Sequence, residues 1–169
     1  TKQINNIHMN NVLTDNINTI TDLNLNGLEI YDLTGIESFT ALEDLNCSGT
    51  LISELDLSNN PELINLYCNN SNLSSLNISN SSLLINLYCQ NNNLSSLDIS
   101  NNFNIANFNC SNNNFYDLDV ANNFLLQALW CEENNLVQLD LTTNSSLMSL
   151  QCNNNDLLQL DLSSNYSLL

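Results

Sequence analysis

Positive charge is almost missing from this 169-residue chain. One lysine and one histidine stand against 18 aspartates and glutamates, for a formal net charge of −17. A field of that sign repels phosphate backbones and anionic lipid, so nucleic acid and anionic membranes are poor partners. Proline and glycine are scarce too: Pro61 and three glycines, all before residue 62. The later turns must be built from Asn and Ser, which tolerate left-handed backbone and bond their own neighbours. No apolar run approaches the ~20 residues that cross a bilayer, so membrane insertion is not expected. There is no Ser-His-Asp spacing, no zinc motif and no glycine-rich phosphate loop. His8, the only histidine, has no nucleophile placed beside it by the sequence. The chain reads as non-enzymatic.

What the sequence has is a period. Cys47, Cys68, Cys89, Cys110, Cys131 and Cys152 are each 21 residues apart. Around each runs the same pattern, seen plainly in LINLYCQNNNLSSL, residues 84–97. A fixed period in the twenties marks a solenoid, and L-x-x-L-x-C-x-x-N-x-L is a leucine-rich-repeat signature. High charge alone would suggest disorder, but the apolar residues are 43% of the chain and strictly placed. Each coil then contacts only its neighbours.

Coils open at Leu42, Leu63, Leu84, Ile105, Leu126 and Leu147, and the last begins at Leu168. Numbering each coil from its opening residue, positions 1, 4, 6, 11, 14 and 16 are apolar and should point inward. Alternation around position 5 predicts a short strand, and Leu97-Asp98-Ile99 with its equivalents suggests a second extended segment. No coil carries a helical period. The fold class is a β-rich leucine-rich-repeat solenoid with short parallel strands and helix-poor coils. About seven coils of 21–22 residues fill residues 20–169, for roughly 34 Å of stack at ~4.8 Å each. Residues 1–19 precede the pattern and read as an N-terminal cap, with Thr14 or Asp15 able to start a short helix toward Ile20.

The cysteines read as a reduced file in the core. Stacked side chains in register share one direction, which suits neither a disulfide torsion nor a tetrahedral metal site. Asn recurs at position 9 (Asn92, Asn113, Asn134, Asn155) and position 19 (Asn60, Asn102, Asn123, Asn144, Asn165). Such ladders should satisfy backbone groups that the coil would otherwise bury unpaired.

Two columns are candidate sites. Positions 3 and 5 flank the inward Leu and project onto one face. They carry Tyr67, Tyr88 and Trp130, with Asn65, Asn86, Asn107 and Asn109 beside them. Aromatic side chains on a rigid polar sheet are typical contact anchors; they also stabilise a sheet by stacking alone. Position 15 carries Asp56, Asp98, Asp119, Asp140 and Asp161. It is either a solvated acidic face bonding its own turns or a cation array, for which calcium is the natural guest.

The run Leu-x-x-Leu-x-Cys, then Asn-Asn-x-Leu-x-x-Leu-Asp-Leu-Ser-x-Asn, resembles the 21-residue leucine-rich repeats of Bacteroidetes surface and secreted proteins, with a more distant similarity to internalin-type repeats. Asp32-Leu33-Thr34-Gly35-Ile36-Glu37 resembles that group's opening coil. Thr50 and Ser71 in place of Asn, and Phe108 in place of Leu, depart from the pattern. The resemblance implies an extracellular or bacterial cell-surface module that binds a protein or glycan, with a structural spacer or filament unit as the alternative. The ladder of threonines that an ice-binding face would use is missing. Leu168-Leu169 opens a further coil, so the pattern predicts either continuation of the chain or head-to-tail self-association at that end.

Overall fold

The computed structural model describes residues 17–169. Residues 17–19 form a 3-10 turn and bury Ile17. The rest of the expected cap, with His8, lies outside the described residues. A second 3-10 turn spans Ile36–Ser38; all other regular structure is strand.

The strands are three residues each: β1 (Asp22–Asn24), β2 (Asp44–Asn46), β3 (Glu54–Asp56), β4 (Asn65–Tyr67), β5 (Ser75–Asn77), β6 (Asn86–Tyr88), β7 (Asn107–Asn109), β8 (Ala128–Trp130) and β9 (Ser149–Gln151). Seven of them form a parallel sheet in the order β1-β2-β4-β6-β7-β8-β9. The register never slips. Leu23, Leu45, Leu66, Leu87, Phe108, Leu129 and Leu150 face one another in a single row. The cause is the period: with one face buried, a one-residue shift would turn every inward Leu to solvent.

The interior is a set of such rows. Leu45, Leu66, Leu87, Phe108 and Leu129 have no exposed surface, and neither do the five cysteines from Cys47 to Cys131. Each fully buried Leu is worth about 1.5–3 kcal/mol relative to an exposed one, and the inward positions repeat that gain along the stack until the coil opening at Leu147, where Leu150, Leu157 and Leu160 are only partly buried. All six cysteines are free thiols. Burial pushes the Cys47 and Cys89 thiols up to about 12 and raises Cys68, Cys110 and Cys131 as well. These thiols stay protonated and unreactive. Cys152, in the last complete rung, is partly exposed.

The turns are made by asparagine. The backbone is left-handed at Gly27 and Gly49, then at Asn70, Asn91, Asn112, Glu133 and Asn154, with φ between 50° and 70°. Inside the coil, Asn113 Nδ2 donates to the carbonyls of Cys89 and Cys110, both at 3.1 Å, while its Oδ1 accepts the Leu94 N–H at 3.0 Å. Asn92 and Asn134 repeat this bracket. At position 19, Asn102 Nδ2 donates to the carbonyls of Ile78 and Ser81 at 3.0 and 2.8 Å, and Asn123 and Asn144 do likewise.

The second extended segment forms a sheet in only two coils, β3 with β5. From Leu97 onward it is not a strand. Leu97 is only partly buried, where Leu55 and Leu76 are buried. Concavities open there between successive coils, one of about 550 Å³ lined by Asp119, Asp140 and Asp161 among others. Successive coils stay joined just before this segment, by Asn114 N–H to Leu94 O, Asn135 N–H to Phe115 O and Asp156 N–H to Leu136 O at 2.8–2.9 Å, but the strand pairing of β3 with β5 is not continued.

Candidate binding face

The seven-stranded sheet offers its outward face through positions 3 and 5. The burial pattern of β4, β6 and β7 is half-buried, buried, half-buried, as alternation requires. Position 5 carries the aromatic side chains. The rings of Tyr67 and Tyr88 stack with centroids 5.3 Å apart and planes within 10°. Trp130 lies two strands beyond Tyr88, yet their centroids are 6.3 Å apart at 27°. Two strand spacings come to ~9.6 Å, so the indole leans across Asn109 to close the gap. The three rings form one continuous row, and none is buried in the core. Burial, with a smaller contribution from Tyr67, raises the Tyr88 hydroxyl above its ordinary value.

Position 3 carries a polarised amide ladder. Asn107 Nδ2 donates to Asn86 Oδ1 at 2.7 Å, Asn86 Nδ2 to Asn65 Oδ1 at 2.6 Å, and Asn65 Nδ2 to the Asp44 carboxylate. Every donor points toward Asp44, whose charge anchors that end. At the other end the next residue is Ala128, so the acceptor Asn107 Oδ1 terminates the ladder. Asn109 is used differently: its Oδ1 accepts the Ser111 N–H and hydroxyl at 3.1 and 2.8 Å. The candidate asparagines thus hold the face in shape and present their remaining N–H groups to solvent. Beside Trp130 at position 7, Glu132 Oε2 has no hydrogen-bond partner among the described residues.

The aspartate column lies on the side of the second extended segment. Each carboxylate accepts the N–H two residues on: Asp56 from Ser58, Asp98 from Ser100, Asp119 from Ala121, Asp140 from Thr142 and Asp161 from Ser163, all at 2.9 Å. Hydrogen bonds from the backbone and side chain two residues on hold Asp56, Asp98, Asp140 and Asp161 below the usual carboxylate range. Among the described residues, no three His, Cys, Asp or Glu side chains converge to hold a metal ion.

One feature was not among the candidates. At positions 21 and 2, just before the strands, Ile64, Leu83, Ile85, Ala106 and Leu125, together with Asn104 and Gln127, line a shallow, mostly apolar concavity of about 490 Å³. Its signal in the sequence was apolar residues where the repeat does not require them.

Comparison with solved structures places this architecture. The functional domain of InlJ from Listeria monocytogenes, which includes a cysteine ladder, is similar at 29% identity over 92% of this chain and 44% of that one, with a TM-score of 0.55. Internalin C2 from the same organism aligns over 92% of this chain and 71% of its own at TM-score 0.80 and 19% identity. The fold is an internalin-like leucine-rich-repeat solenoid. A leucine-rich-repeat protein of Leptospira interrogans aligns over 88% of this chain and 53% of its own, at TM-score 0.57 and 17% identity. The chain therefore spans 44% of the InlJ domain's length. No protein-family model and no curated protein matches it. No helix among the described residues is long and apolar enough to cross a membrane.

Proposed function

We propose that this chain is a protein-binding leucine-rich-repeat module that works outside the cell or at a bacterial cell surface, without catalysis of its own. The observation that carries the proposal is the row Tyr67, Tyr88 and Trp130. It is continuous, half-exposed and fixed to a sheet whose register cannot slip. Large aromatic side chains held in one conformation lose little entropy when a partner covers them, which is what makes such residues binding hot spots. Asn65, Asn86, Asn107 and Asn109 frame the row. A rigid, repeated face with no converging titratable cluster beside it is suited to surface complementarity. The internalin-like fold supports a recognition role. A protein rather than a glycan is favoured because the candidate amides already bond one another, leaving few free donor–acceptor pairs for sugar hydroxyls.

The test is capture by the immobilised chain from a cell-surface protein extract, run beside a glycan array. A Tyr67→Ala/Tyr88→Ala/Trp130→Ala variant with an unchanged melting temperature is the control. Retention of a defined protein by the native chain and at least tenfold weaker retention by the variant are expected. Equal retention by both would overturn the assignment to this face, and glycan binding without protein capture would replace the partner class.

A further inference from the structure

We infer that the apolar strip beside the sheet is the second half of the docking surface, and that the partner it fits is a protein segment pairing exposed apolar side chains with lysines or arginines. This rests on the proposal that the strand face binds protein, and extends it to the partner's chemistry.

The strip is surplus to the fold. Leu83, Ile85 and Leu125 are 42%, 40% and 52% exposed, whereas a residue needed by the core would be buried. The same positions in other coils hold polar Glu43, Gln127, Glu62, Asn104 and Ser146 as well as apolar Met148 and Leu169, so the coil accepts either kind there and does not require apolar residues. Backbone bonds at position 2 run regardless of side chain: the Ile85 N–H donates to Ile64 O, and the Gln127 N–H to Ala106 O. Clustered exposed apolar side chains with no structural duty mark an interaction surface.

Charge decides between occupants. A second copy would bring another −17 against the first, which opposes close approach. A basic partner is drawn in by the same field. The surface also has places to receive its cations. Glu43 and Glu62 stand at one end of the strip, at the positions taken by Ile64 and Leu83 one coil later. Across the amide ladder, the stacked Tyr67–Tyr88–Trp130 row leaves a free ring face for a guanidinium or ammonium group at its Tyr67 and Trp130 ends. The ladder's acceptor end at Asn107 lies at the Trp130 end of that row. An apolar ridge on the strip would thus set basic side chains over the aromatic row.

Three synthetic helical peptides test this by calorimetry on the full chain: Leu on one face with Lys on the other, the same peptide with Ser for every Leu, and the same with Glu for every Lys. The Leu/Lys peptide is expected to bind at least tenfold more tightly than the Ser/Lys peptide, and the Leu/Glu peptide not at all. Ile85→Ser/Leu125→Ser, both exposed and checked by an unchanged melting temperature, should remove that tenfold advantage and leave Ser/Lys binding as it was. Trp130→Ala should weaken both lysine peptides. Equal affinity for the two lysine peptides, or an undiminished advantage in the double variant, overturns the inference. If only Trp130→Ala has an effect, the strand-face reading survives and the strip falls. If only the double variant has an effect, the strand-face reading falls and the strip stands alone as an apolar site.

Discussion

Asn113 gives the sharpest test of how the coils hold together. Its Oδ1 is the acceptor for the Leu94 N–H at 3.0 Å, and its Nδ2 serves the carbonyls of Cys89, Cys110 and Ser111 at 3.1, 3.1 and 3.2 Å. Asn113→Ala does not orphan all four groups. Cys89 O keeps Asn92 Nδ2, Cys110 O keeps Asn134 Nδ2, and Ser111 O keeps the Asn91 N–H. The Leu94 N–H alone loses its partner in a buried site, which costs about 1–3 kcal/mol, and the lost share of the other bonds adds up to about 1 more. The expected loss is about 1–4 kcal/mol, against a total of about 5–15 for a domain. Asn113→Asp keeps the acceptor but removes every donor and sets a carboxylate against three carbonyl oxygens. Its folded pKa must rise above the unfolded value of ~3.9. The variant is therefore most stable below that value and loses stability as pH climbs through the raised one. At pH 7 it should be less stable than Asn113→Ala. The assay is urea unfolding followed by far-ultraviolet circular dichroism and Trp130 fluorescence, with a free energy assigned only where the two transitions coincide, since solenoids can unfold in parts. A loss under about 0.5 kcal/mol for Asn113→Ala, or a pH-independent Asn113→Asp, refutes the bracket as the element that locks coil to coil.

Ser71→Asn should gain about 1 kcal/mol in the same assay, because Ser71 Oγ bonds Thr50 Oγ1 and Cys47 O, whereas Asn at this position also accepts a backbone N–H of the preceding coil, as Asn92 does from Leu73. Glu133→Asn should raise the melting temperature, since Glu133 sits at φ 55° where its equivalents are Asn and a non-Gly, non-Asn residue there carries about 1 kcal/mol of strain. Calcium and sodium chloride at matched ionic strength should raise the melting temperature equally, as screening alone requires; a calcium-specific gain would mean that the aspartate column binds the ion. Acid should weaken the Asp98, Asp140 and Asp161 turns: their folded pKa values lie below the unfolded ones, so the stability they lend is present above pH ~4 and lost as pH falls through the lowered values. With a thiol reagent, Cys152 should react first in the native chain and all six thiols after denaturation; fast reaction of Cys68 or Cys89 would contradict their burial.

The period and the inward rows were legible because both are written once per coil in residue type. Buried Leu and Cys at fixed intervals can be accommodated in few ways. The Asn ladders at positions 9 and 19 were legible for a related reason: a buried amide needs partners, and the coil's own carbonyls are the nearest. The second extended segment was legible, but not where it pairs. Leu97-Asp98-Ile99 alternates as well as Leu55-Asp56-Leu57 does, but whether such segments pair depends on coil spacing, which alternation within one coil does not encode. Which groups the candidate asparagines bond was hidden too, because Asn107 and Asn109 look alike in sequence while one joins a ladder and the other a turn. The lean of Trp130 over Asn109 depends on the small residue between two large ones, a relation across two coils. The strip at Leu83, Ile85 and Leu125 is not legible in the period, because positions 21 and 2 are apolar in some coils and polar in others.

The two sides of each coil differ in what they can offer a partner. On the side of the aspartate column, successive coils from Leu97 onward lack the strand pairing that joins β3 to β5, and their aspartates are occupied by their own turns. A partner spanning several coils there would meet segments joined by one backbone bond per coil, as Asn114 N–H to Leu94 O, rather than by a strand ladder. On the sheet side the spacing is locked several times over, by the parallel ladder, by the Asn65–Asn86–Asn107 chain and by the packed rows beneath. The aromatic row and the apolar strip lie on either side of that amide chain, so their separation is fixed before any partner arrives. That preorganisation is why recognition belongs on the sheet side. It also implies that cutting the chain of amides, as Asn86→Ala would, should weaken binding of a partner that uses both halves more than that of one touching the aromatic row alone. The Leu/Lys and Ser/Lys peptides measure that difference directly, and equal weakening of the two would show that the two halves do not act as one surface.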